Sequence, residues 1–127
     1  MVMNPKQLAA VFALPPAKRF EHFVKVVADR QKAWGLYDDG WAMAGTDDGG
    51  QVFPLWPQQE YADACALDAW AGYIATEIPL DDLMQVLLPQ LRTDGVLPGI
   101  LPTPGSKGAT PSIDELIAAL EEELRRY

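Results

Sequence analysis

His22 and Cys65 are each the sole residue of their type in this 127-residue sequence, and together they set a low ceiling on its chemistry. A Ser-His-Asp or Cys-His nucleophilic mechanism would have to use His22. That residue is offset from the Phe20/Phe23 stripe of a cationic segment, where an exposed or half-buried helix position is the expectation. Cys65 sits among Ala62, Ala64, Ala66 and Ala69, which suits a packed thiol rather than a nucleophile. One His and one Cys cannot close a zinc site, so no metal ligands and no cofactor are assigned. Acids come in pairs: Asp38/Asp39, Asp47/Asp48 and Asp81/Asp82. Two pairs belong to turns and one to a helix start, roles that acids fill for local reasons. Asp47-Asp48-Gly49-Gly50 lacks the calcium-loop pattern. A glycosidase-type pair depends on a carboxylate separation that spacing does not give. No catalytic residue is assigned, and the inventory leans away from an enzyme.

Two features are better suited to binding. The loop Pro102-Thr103-Pro104-Gly105-Ser106-Lys107-Gly108-Ala109-Thr110 precedes a helix, and Ser106, Lys107 and Thr110 are its candidate anion ligands. It is not a P-loop, because Gly99 to Gly105 spans one residue too many and Ser precedes the Lys. Trp41 and Trp56 border turns or junctions, where an aromatic can anchor an interface. With Asp38, Asp39, Asp47 and Asp48 they form the candidate partner-binding surface, although core packing competes for each Trp.

These residues need elements to position them. Residues 5–13 have the spacing of a short helix, broken by Pro15-Pro16. A second helix is expected over 17–33, with Phe20, Phe23, Val24, Val27 and Trp34 as its apolar stripe, Lys18, Arg19, Lys25, Arg30 and Lys32 on its surface, and Gly35 as its stop. Strands are expected at 36–37, 41–44 and 51–56, separated by Asp-Gly turns. Pro54 cannot donate to a ladder, which predicts an edge or an end there. A helix over 58–70, a strand over 73–78, and a helix opening at Pro79 and burying Leu83, Val86, Leu87 and Leu91 follow. A fifth strand covers 96–101. The last helix starts with Ser112-Ile113-Asp114-Glu115, which has capping-box spacing. The fold class is α+β, or mixed α/β, with one roughly five-stranded sheet, two N-terminal helices and a C-terminal amphipathic helix, in one domain over 1–127.

Net charge is −8, divided as +4 over residues 1–33 and −12 over 34–127. The excess of acid disfavours nucleic acid as a partner and permits a basic protein or head-to-tail self-association into a homo-oligomer. No apolar run approaches the roughly 20 residues that span a bilayer, and the N-terminus has no signal-peptide pattern. A lone Cys allows no intrachain disulfide, and a cytoplasmic location is the expectation.

Asp39-Gly40-Trp41-Ala42, Pro54-Leu55-Trp56-Pro57, Glu60-Tyr61-Ala62, Pro102-Thr103-Pro104 and Leu120-Glu121-Glu122-Glu123-Leu124 follow one another in order. In these landmarks the sequence resembles, over nearly its whole length, the bacterial domain-of-unknown-function family 2750. That resemblance implies a small bacterial protein with no established activity, and it supplies no catalytic residues. Residues 51–126 are also similar in layout to the enhancer-of-serine-sensitivity (SseB-like) proteins. The leading functional expectation is a non-enzymatic protein-binding or adaptor domain. The alternatives are an immunity-type protein that neutralises a basic toxin, and a small anion-binding sensor or enzyme that uses the 102–110 loop.

Overall fold

In a computed structural model, residues 4–46, 48–106 and 108–127 are described. Asp47 and Lys107, both candidates above, lie outside them. The fold is α+β, as expected, with helices α1 (Pro5–Phe12) and α2 (Pro16–Arg30) leading into strand β1 (Lys32–Tyr37). Strands β2 (Ala44–Gly45) and β3 (Gln51–Leu55) follow, then helix α3 (Gln59–Ala64) and a single 3₁₀ turn, Asp68–Trp70. Strand β4 (Ile74–Pro79) runs directly into helix α4, residues 80–94, and strand β5 (Leu97–Ile100) and helix α5 (Ile113–Leu124) complete the chain.

The five strands fall into two sheets rather than one. β1 pairs with β4 antiparallel, and the other sheet has the order β2-β3-β5, with β3 and β5 parallel. The sheets meet where Trp34 and Trp56 exchange backbone hydrogen bonds of 2.8 and 2.9 Å. Pro54 therefore lies in an interior strand, not at an edge. Residues two apart on a strand direct their N–H groups to the same side. The Pro54 position shares its side with Trp56 and falls between the last β2 pair, Ala44 with Val52, and the first β1 pair. The missing donor coincides with the change of partner strand.

α2 ends earlier than its sequence suggests. Gln31 takes a left-handed conformation (φ 64°) and caps the helix, so residues 32–37 are free to pair with β4. Gly35 lies inside β1 because the Trp41 ring covers it. A Cβ there would sit 2.9 Å from Trp41 Cζ3. The helix expected over 58–70 stops at Ala64, which places Trp70 in a separate turn.

α4 departs from its predicted stripe for a geometric reason. Leu83–Leu87 forms a π-helical turn between the α-helical segments Leu80–Asp82 and Leu88–Asp94. The wider turn inserts a residue into the helical period. The buried series becomes Leu83, Leu88 and Leu91, and Val86 is left 64% exposed. α5 begins as predicted: Ser112 Oγ accepts from Glu115 N at 3.0 Å, and the Glu115 carboxylate accepts from Ser112 N. α2 packs against α5 and β5. Among the described residues no helix is long and apolar enough to cross a membrane.

Candidate functional site

Arg19 is the buried charge among the described residues. Its guanidinium extends from the same face of α2 as Phe23 and Val27, four and eight residues later, and the residue is only 2% exposed. Sequence reasoning placed it on the solvated surface because of its charge. The i, i+4, i+8 spacing with Phe23 and Val27 was the available signal that it faces the core.

Nη1 of Arg19 donates to the Leu101 carbonyl at 3.0 Å, and Nη2 donates to Ser106 Oγ at 2.9 Å. Nε has no partner. Among the described residues no carboxylate lies within ion-pair distance of it. Burial lowers its pKa, and the neighbouring Cys65 opposes that shift. Cys65 does not neutralise it, because burial pushes the thiol up to about 11. At pH 7 only about one thiol in ten thousand is then a thiolate. An uncompensated buried guanidinium costs several kcal/mol.

Arg19 thus holds the 102–110 loop twice, through Leu101 immediately before it and Ser106 within it. Reciprocal bonds between Ile100 and Ala109, of 2.7 and 3.3 Å, close the loop at its base. Its tip is a turn in which Thr103 and Ser106 exchange backbone bonds of 2.8 and 3.2 Å. Leu101 enters with φ 51°, a left-handed conformation held by its N–H donating to Leu55 O at 2.9 Å. From the core side, Trp56 Nε1 donates to Pro102 O at 2.9 Å and Cys65 Sγ donates to the same oxygen at 3.3 Å. Three buried side chains (Arg19, Trp56 and Cys65) therefore fix the loop. Gly108, at φ 79°, allows the closure, because a Cβ would run into the Ile100 carbonyl.

The loop forms one wall of a crevice of about 540 Å³, and β2, β3 and Trp70 form the rest. Ser106 and Thr110 both line it, with Thr46 and Thr103. Thr46 Oγ1 is committed, donating to Asp48 and accepting from Gly50 N at 2.8 Å. Thr103 Oγ1 accepts from Gly105 N at 3.3 Å. Ser106 Oγ accepts from Arg19 and, at 3.4 Å, from Gly108 N. A hydroxyl has two acceptor lone pairs and one hydrogen. With both lone pairs of Ser106 engaged, its hydrogen has no acceptor among the described residues and can donate to an occupant of the crevice.

The other candidate surface does not assemble as expected. Trp56 is 0% exposed, so it packs the core instead of anchoring a partner. The cause is its backbone pairing to Trp34 and its indole bond to Pro102, which hold the ring beneath the loop. Trp41 is half-buried, edge-on to Tyr37 at 5.1 Å, and the exposed acids Asp38 and Asp39 occupy the turn between them. Asp48 is exposed elsewhere, in the 46–50 turn, and its carboxyl is held below the usual range first by the Thr46 hydroxyl and then by Gly50 N.

His22 lies against Tyr61, with Nε2 3.5 Å from the phenol oxygen, and burial and then Lys25 lower its pKa. Neither His22 nor Cys65 lines the crevice. Among the described residues no three His, Cys, Asp or Glu side chains cluster as a metal site would require. A thiol raised from 9.0 to about 11 should alkylate slowly. At pH 8 iodoacetamide should label folded Cys65 roughly a hundredfold more slowly than the unfolded chain, and the folded rate should rise about tenfold per pH unit. Equal rates in the two states would show that the thiol is neither buried nor raised.

No curated protein and no solved structure matches the chain. A family model does: residues 20–120 match the family described as "Protein of unknown function (DUF2750)", a span that runs from the Arg19-bearing helix through the crevice loop into α5, and the chain belongs to that family.

Proposed function

We propose that this protein is a small binding domain that captures an anion in the crevice beneath the 102–110 loop. The observation that carries this is the Arg19 guanidinium, which is buried, lacks a carboxylate partner among the described residues and donates to a serine that lines the crevice. An anion there would supply the missing countercharge. The volume lies within the range of small-molecule sites, and the loop is already fixed, which lowers the ordering cost of binding. Among the described residues the crevice lining offers hydroxyls, with a charge behind them, and no histidine, cysteine or carboxylate, which favours a sensor or carrier over an enzyme.

Ser106→Ala removes the donor and leaves the loop backbone intact. A hydrogen bond to a charged group is worth about 1.5–3 kcal/mol. In titration calorimetry with phosphate and with indole-3-acetate as probes, the wild type should bind at least one, and Ser106→Ala should weaken that binding at least tenfold. No binding of either probe, or unchanged affinity in the variant, contradicts the proposal.

One observation favours a second function, docking of a basic protein. Tyr37 and Ile74 pair across β1 and β4, 42% and 69% exposed, beside Trp41 and the acids Asp38 and Asp39. An apolar centre with an acidic rim suits a partner with basic residues around an apolar contact.

A further inference from the structure

The crevice is larger and more apolar than a bare oxyanion requires. Its roughly 540 Å³ is in the range of small-molecule sites rather than that of a single bare ion. Much of the wall away from Ser106 and Thr110 is Val52, Pro54, Pro102, Pro104 and Trp70. Prolines have no N–H, so this part of the wall presents few donors to a polyol or a peptide backbone. Trp70 is a half-buried, fixed surface: its ring stands edge-on to the buried Trp56 at 6.1 Å and 87°. It is therefore held by the same core residue that anchors Pro102.

The polar end is small. Of the four lining hydroxyls, Thr46 has its hydrogen committed to Asp48, whereas Thr103 and Ser106 act as acceptors and keep theirs to donate, and Thr110 makes no side-chain hydrogen bond among the described residues. The single guanidinium behind the Ser106 hydroxyl matches the single charge of a carboxylate. A dianion would bring a second negative charge into a protein whose net charge is already −8.

We infer that the occupant is a monocarboxylate bearing a flat apolar body, with its carboxylate at Ser106 and Thr110 and its ring along Trp70 and the prolines. This inference rests on the anion site proposed above and assigns its ligand class. Trp70 is then a specificity residue.

The test is titration calorimetry of the full chain with three probes: indole-3-acetate, its neutral amide indole-3-acetamide, and inorganic phosphate. The acid should bind at least tenfold more tightly than either of the others. Trp70→Ala should cut the affinity for the acid at least tenfold, and Trp70→Phe, which keeps an aromatic face against Trp56, should retain most of it. If phosphate binds as tightly as the acid, or Trp70→Ala leaves the acid affinity unchanged, the assigned ligand class is wrong while the anion site stands. If the amide binds as well as the acid, or no probe binds, the anion site itself fails. Should Trp70→Ala not fold, the ranking of the three probes on the wild type still decides.

Discussion

Arg19→Met should weaken anion binding about a hundredfold while leaving the fold nearly as stable as the wild type. The two effects come from different terms. A carboxylate on the Ser106 hydroxyl would sit two hydrogen bonds from the guanidinium, about 5–6 Å away. At an effective dielectric of about 20 that separation is worth roughly 3 kcal/mol, or about a hundredfold in affinity. For stability, the variant forfeits two charge-assisted bonds, to Leu101 O and Ser106 Oγ, each worth about 1.5–3 kcal/mol. Against this stands the removal of a buried charge that no carboxylate offsets, itself worth several kcal/mol. The terms nearly cancel, and at about 4 °C per kcal/mol the midpoint should stay within roughly 8 °C of the wild type. Arg19→Lys keeps the charge but loses the fork, and should recover part of the affinity that Met does not. A midpoint that collapses in Met, with no difference in binding between Lys and Met, would make Arg19 a structural strut and nothing more.

Trp56→Ala should have the opposite profile, a large loss of stability from a residue with no access to a ligand. Truncating a fully buried tryptophan costs about 3–5 kcal/mol. The Pro102 carbonyl also loses its best donor, keeping only the Cys65 thiol. The midpoint should fall by roughly 12–20 °C in a thermal melt. Trp56→Phe, which fills most of the volume but lacks the N–H, should lose less and should loosen the loop selectively, seen as faster amide exchange at residues 103–106. A Trp56→Ala variant with an unchanged midpoint would show that this ring is exposed in solution.

The two residues also show what could be read in the sequence. The cap of α5 was legible because its residues act on neighbours three positions apart. Ser106 and Thr110 were singled out by a local pattern, and the fold places both on one crevice. What escaped depends on distant parts of the chain. Arg19 and Ser106 are 87 positions apart, so nothing near Arg19 announces its acceptors. Its charge masked its place in the stripe with Phe23 and Val27. Trp56 looked like a junction aromatic because its partners, Trp34 and Pro102, lie in other elements. Val86 fitted a regular 3.6-residue period, and the π turn in α4 broke that period.

On the proposed function, the buried guanidinium senses an anion in the crevice. The most direct measurement follows the Arg19 Nε–H by ¹⁵N NMR as indole-3-acetate is added. This group is buried and has no partner among the described residues, so its resonance reports on the charge nearby. The Nε signal should shift and saturate together with the amides of Ser106 and Gly108, and indole-3-acetamide should not reproduce the shift. An unmoved Nε signal, with perturbations gathered at Tyr37, Trp41 and Ile74 instead, would contradict the crevice and favour the sheet-end surface.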